Sequence, residues 1–258
     1  MSANSILETK QLGVSINNKF VCKNLDLEIL PGQCWGVLGI NGAGKTTLMH
    51  TLAGLRAPIS GEVLLYRENL HVLSRKNIAQ VIGLLLQDHV DFFPSTVLET
   101  ALIGRHPFLG KFEMESDVDI DIAKKALQCV GLNGMEQRLI NTLSGGERRR
   151  LGLATLLTQN PILYLLDEPT NHLDLSQQIN LLNMLTTHKN IADRAIVMIL
   201  HDINLAVRYC NQLLFLFDKG ETLNGPTAEV LTTENLSQLF SHQIIKLDTP
   251  DGPFFVPK

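Results

Sequence analysis

Eight consecutive residues, Gly39, Ile40, Asn41, Gly42, Ala43, Gly44, Lys45 and Thr46, limit this chain more than any other feature. They fit the pattern GxxxxGK[ST]. Its glycines let the backbone curl so that successive amide N–H groups point inward at phosphate oxygens. Residues 33–38 before the loop are apolar and read as a buried strand. Residues 45–55 after it read as a helix stopped near Pro58 and Gly61. A helix beginning here presents unpaired N–H groups and the positive end of its dipole to the same anion. Lys45 is expected to reach the β- and γ-phosphates of a nucleotide, and the Thr46 hydroxyl to ligate Mg²⁺. Thr47 completes the expected phosphate-binding set. A strand–loop–helix of this kind calls for an α/β fold.

A second segment supports the same chemistry. Residues 162–166 form an apolar run that ends in Asp167 and Glu168, with Pro169 next. Ligands gather at the carboxyl ends of strands in open parallel sheets. There Asp167 is placed to hold Mg²⁺ through a water, and Glu168 to activate an attacking water as general base.

The rest of the chain sorts into two kinds of sequence. Residues 6–16 and 24–30 read as antiparallel strands, separated by Asn17-Asn18, with Pro31-Gly32 before the third strand. Residues 62–66 and 81–86 read as further strands. Between about 88 and 160 only helical periodicity appears, at 97–103, 118–130 and 147–158. Beyond Pro161, strands at 162–166, 195–200 and 213–217 alternate with helices at 175–188 and 204–209, which calls for a mainly parallel sheet covered on both faces. Asp218-Lys219-Gly220 reads as a tight turn, and the remaining residues are expected only to close the fold. The expected division is one α/β core (1–87 and 161–258) with an N-terminal antiparallel β part and an inserted helical part (88–160).

Of the 258 residues, 45% are hydrophobic and 19% charged, enough for a packed core rather than disorder. The net charge of −4 is too mild for general affinity to nucleic acid or anionic lipid. Apolar runs reach about five residues where a membrane helix needs about 20, and residues 1–10 do not resemble a secretory signal. Cys22, Cys34, Cys129 and Cys210 form no CxxC pair and no tight cluster in sequence, so they read as buried thiols in a reducing compartment. His50, His71 and His188 read as structural or exposed, and no His/Cys/carboxylate spacing suggests a metal centre. Arg148-Arg149-Arg150 reads as a solvated, helix-stabilising run.

Leu143-Ser144-Gly145-Gly146-Glu147 supplies the family resemblance. Physically it is a helix start with a hydroxyl and two glycines, a second anion site, and Ser144 with Glu147 also reads as a capping box. The segment matches the LSGGE signature of ABC ATPases, and the chain is identified as a member of that family over nearly its whole length. The resemblance implies several roles. Ser144, Gly145 and Gly146 would face the γ-phosphate held by a partner copy, so two ATP molecules would sit between two head-to-tail chains. Gln87 would be the Q-loop glutamine, sensing Mg²⁺ and the transport partner. Asn171-His172-Leu173-Asp174 would be the D-loop at the dimer interface, and His201 the switch histidine that contacts the γ-phosphate. Arg150 falls where the family places an arginine. In place of the usual adenine-stacking aromatic stands Ile16, with Phe20 four residues on; either could pack on the base.

Within the family, Gly104-Arg105-His106-Pro107 and His201-Asp202-Ile203-Asn204-Leu205-Ala206 resemble segments of importers of iron-siderophore, haem and cobalamin type. Gly225-Pro226 and Glu229-Val230-Leu231-Thr232 echo the same group. That implies a peripheral ATPase on the cytoplasmic face of a bacterial inner membrane, with multi-span permease subunits and, indirectly, a substrate-binding protein as partners, and no nucleic acid. An exporter subunit and a soluble, non-transport ABC ATPase stay open as alternatives.

Overall fold

A computed structural model describes residues 5–86, 94–171, 173–186, 191–250 and 252–258. Strand β1 (Leu7–Ile16) folds back on β2 (Lys19–Ile29), and β3 (Cys34–Gly39) leads through the glycine loop into helix α1 (Lys45–Leu52). Then come β4 (Ser60–Leu65), β5 (Glu68–Asn69), α2 (Arg75–Val81) and β6 (Ile82–Leu85). Helices α3 (Val97–Leu102), α4 (Asp117–Cys129) and α5 (Gly145–Gln159) follow, and then β7 (Leu163–Leu166) and α6 (Leu175–Thr186). The chain continues through β8 (Ala195–Ile199), α7 (Ile203–Tyr209), β9 (Gln212–Leu216) and β10 (Thr222–Pro226). It closes with α8 (Thr227–Val230), α9 (Thr233–Phe240) and a hairpin of β11 (Ile244–Thr249) and β12 (Gly252–Pro257).

The central sheet has the order β10-β9-β3-β8-β7-β6, with β10 antiparallel and the other five parallel. A second, antiparallel sheet has the order β2-β1-β4-β5. This is the α/β architecture expected of the glycine loop. All residues of β3, β7 and β8 are buried, as strands covered on both faces require. Side chains alternate across the sheet. Leu163, Leu165, Val197 and Leu214 join α1 and the antiparallel sheet in one core, while Tyr164, Leu166, Met198 and Phe215 join α3, α4 and α5 in the other.

Helices α3, α4 and α5 all begin with a reciprocal capping box, from Thr96 and Glu99, Ser116 and Asp119, and Ser144 and Glu147. Each satisfies orphan N–H groups without outside help. Gly104 marks the close seat of the following 3₁₀ turn (Ile103–Phe108) on α5. A Cβ there would lie 2.3 Å from the carbonyl oxygen of Thr155. Arg105 then anchors the turn, its Nε 2.7 Å from Asp119 Oδ1.

Several expectations need correction. Helix α2 and strand β5 went unread, because polar residues outnumber apolar ones in both. Helix α1 ends at Leu52 rather than 55. The C-terminal residues do more than close the fold: they build two helices and a separate hairpin. Cys129 is exposed, and Cys34 and Cys210 lie Sγ to Sγ at 4.0 Å although they are far apart in sequence. No described helix is long and apolar enough to cross a membrane.

Candidate nucleotide site

The buried strand β3 delivers the loop to the carboxyl edge of the sheet, between β9 and β8. Gly44, the N-cap of α1, has φ of 90°, and a Cβ there would meet Val21 at 2.3 Å. No other residue fits that conformation in that space. The loop, the start of α1 and three flanking residues line a cavity of about 760 Å³: Ile16, Asn41, Gly42, Gly44, Lys45, Thr46, Thr47, Glu168 and His201. A larger share of charged and polar groups converges here than on a second, more apolar cavity of about 460 Å³ between α4, α5 and α6.

Lys45 is buried, and its Nζ donates to the carbonyls of Gly39 at 2.9 Å and Ile40 at 3.1 Å. Burial pulls its pKa down, and the nearby carboxylates of Glu168 and Asp167 oppose that. Asp167 is only 1% exposed, and neither carboxylate oxygen has a hydrogen-bond partner among the described residues by distance and angle. The Thr46 hydroxyl is near enough to favour its ionised form without forming such a bond. Burial is the main cause that raises its pKa, with Glu168 adding repulsion, while Thr46, His50 and Arg149 oppose. A buried, unpartnered carboxylate beside a hydroxyl is a donor set that suits a hard cation such as Mg²⁺.

Glu168 lies directly after this group with φ of 49°, a left-handed backbone uncommon for a side-chain-bearing residue. His201 Nε2 sits 2.5 Å from its Oε1, and Asn171 Nδ2 donates to its Oε2. The backbone is held from behind by Arg149, whose guanidinium donates to the carbonyls of Asp167 at 2.6 Å, Glu168 at 2.7 Å and Leu86. The arginine run is therefore not uniformly solvated. Arg149, in its middle, is 7% exposed and ties α5 to the acidic turn. Its spacing with Leu153 and Leu156, at i+4 and i+7, places it on the buried face. That was the signal in the sequence that the charge run obscured.

Ser144, Gly145 and Gly146 stand at the exposed start of α5 and do not line the cavity of their own chain. Ser144 Oγ accepts from the Glu147 N–H at 3.2 Å, and Glu147 Oε2 accepts from the Ser144 N–H at 2.7 Å. The Ser144 N–H and hydroxyl together favour the ionised form of the Glu147 carboxylate and lower its pKa. Of the two residues considered for the base, Ile16 lines the cavity. Phe20 does not: it packs on Gly220, with Lys23 Nζ 4.4 Å from its ring centre. Gln87 and His172 fall outside the described residues.

Residues 22–171 match the family model described as ABC transporter. The chain belongs to the ABC transporter family. It is 35% identical to the petrobactin import ATP-binding protein FpuD of Bacillus anthracis, over 91% of this chain and 86% of that one. It is 34% identical to the ferric enterobactin transport ATP-binding protein FepC of Escherichia coli, over 97% and 93%. A solved structure described as an inward-facing conformation of a metal-chelate type ABC transporter superposes with a TM-score of 0.84 at 30% identity, covering 99% of this chain and 98% of the other.

Proposed function

We propose that this ABC protein powers uptake of a metal chelate, of iron-siderophore, haem or cobalamin type, by hydrolysing ATP beneath a multi-span permease. ATPase activity and a permease partner go with membership among import ATP-binding subunits. The observation that carries the chemistry is the convergence of Lys45, Thr46, Glu168 and His201 on one cavity. The similarity to siderophore-import subunits over most of both chains supports the cargo class.

In the proposed cycle the loop amides wrap the phosphates and Lys45 turns from the carbonyls of Gly39 and Ile40 to the β- and γ-phosphates. Ile16 packs on adenine. An Mg²⁺ ion held by Thr46, Asp167 and Gln87 would neutralise phosphate charge. Glu168, oriented by His201 and Asn171, accepts the proton of the attacking water. His201 also reaches the γ-phosphate. Ser144, Gly145 and Gly146 of a second, head-to-tail copy close over that phosphate, and its loss reopens the pair.

In this reading residues 1–87 and 161–258 form the core, and 88–160 the helical part that grips the permease near Gln87. The protein works at the cytoplasmic face of a bacterial inner membrane, and a substrate-binding protein delivers cargo to the permease. Reconstitution of the chain with its permease in proteoliposomes tests this. ATP-driven entry of a ferric siderophore, haem or cobalamin is expected. ATP-driven efflux would make it an exporter, and ATP hydrolysis with no transport in either direction would make it a non-transport ATPase.

A further inference from the structure

One amide side chain fastens the C-terminal hairpin to the helix that follows His201. Asn204 is the second residue of α7, whose N-cap is Asp202. Its Nδ2 donates to the Phe255 carbonyl at 3.1 Å, and its Oδ1 accepts from the Phe255 N–H at 2.8 Å. Asn204 thus offers β12 one donor and one acceptor, as a neighbouring strand would. Phe255 is 4% exposed and packs in the same core as Leu236, Leu239 and Ile244. The hairpin is therefore a fixed body, not a loose tail.

The turn that carries His201 is held at both ends. On the strand side, the Leu200 N–H donates to the Val37 carbonyl of β3 at 3.3 Å. On the helix side, Asp202 Oδ1 accepts from Asn204 N–H at 2.7 Å, and Asn204 grips β12. Helix α7 has only seven residues, with Ala206 alone fully buried. A helix this short does not fix its own position; its tertiary contacts do. A hydrogen bond such as that between His201 and Glu168 weakens over a few tenths of an ångström.

We infer that Asn204 is a positioning residue for ATP hydrolysis: through it, the β11–β12 hairpin sets the first turn of α7 and so holds His201 against Glu168. This rests on the role proposed above for His201. The inference concerns a contact between residues 51 apart in sequence, and it gives the C-terminal hairpin a part in the chemistry at the phosphate loop.

The test compares Asn204→Ala, Asn204→Asp, His201→Ala and the double variant, in the full chain assembled with its permease. Phosphate release is followed in single and multiple turnover, with melting temperature as the folding control. Asn204→Ala is expected to lower kcat about tenfold while KM for ATP stays within about twofold. Asn204→Asp keeps the acceptor but sets an oxygen against the Phe255 carbonyl, and is expected to behave alike. In the His201→Ala background, Asn204→Ala is expected to change the single-turnover rate less than about twofold, because its effect runs through the missing side chain. Normal kcat in a folded Asn204→Ala overturns the inference. So do a KM that rises in step with the loss, two losses that multiply, or failure of both Asn204 variants to fold. A His201→Ala protein with wild-type turnover would instead remove the role assigned to His201, and the clamp with it.

Discussion

The guanidinium of Arg149 donates to the backbone carbonyl of Glu168 at 2.7 Å, so the helix that starts with the Ser144 signature is bonded to the residue proposed to activate water. The same group reaches the carbonyls of Asp167 and Leu86. A left-handed residue such as Glu168 costs about 1 kcal/mol or more and persists only where its surroundings hold it. Replacing Arg149 with Met is expected to cost about 3 kcal/mol in urea unfolding, because three carbonyls lose a charged donor. Turnover should fall with it.

The Glu168→Gln variant tests the general base. It keeps the size of the side chain and removes the basic oxygen. Phosphate release is expected to drop by about 10²–10³, while ATP binding survives and gel filtration with ATP shows a persistent dimer. Rapid turnover would assign the proton to another group.

Asp167 makes a prediction of opposite sign for stability and activity. Its pKa is raised in the folded protein, mainly by burial. The folded state therefore binds this proton more tightly than the unfolded chain does. The ionised carboxylate costs stability at neutral pH, and that cost disappears as pH falls below the unfolded value of about 3.9. Without Mg²⁺, Asp167→Asn is expected to melt higher than the parent at pH 7 and to match it near pH 3. Turnover should be lost, and added Mg²⁺-ATP should raise its melting temperature less than the parent's.

Two serines in equivalent caps separate folding from chemistry. Ser144→Ala and Ser116→Ala each remove a capping box and are expected to cost about 1 kcal/mol, a fall of about 2–4 °C in melting temperature. Only Ser144→Ala should abolish ATP-driven pairing. Equal effects on pairing would reduce Ser144 to its cap.

At the base-packing position, Ile16→Tyr restores an aromatic face. ATP affinity is expected to rise by about three- to tenfold in equilibrium binding, matching a stacking gain of about 0.5–1.5 kcal/mol. Phe20→Ala should leave affinity within about twofold, since Phe20 lies outside the cavity.

Much of this was legible where the signal is local. The glycine loop, the apolar strand before Asp167 and the Ser144–Glu147 cap depend on neighbours in sequence, and the fold has the sheet and helices they imply. Helix α2 was missed because Ile78 is its one buried residue and polar residues surround it. The sequence showed Arg149 as one charge among three, although its spacing with Leu153 and Leu156 carried the information. The closeness of Cys34 to Cys210 and the grip of Asn204 on Phe255 join residues far apart in the chain, and no local pattern announces them.

The alternation along β7 has a consequence for how such a chain can change in length. Leu163 and Leu165 fill one core, Tyr164 and Leu166 the other. Inserting or deleting a single residue there would exchange the two sets and turn the acidic pair to the wrong side of the sheet, beyond repair by a point substitution elsewhere. Length variation among proteins of this kind should therefore accumulate in connecting segments and spare this strand.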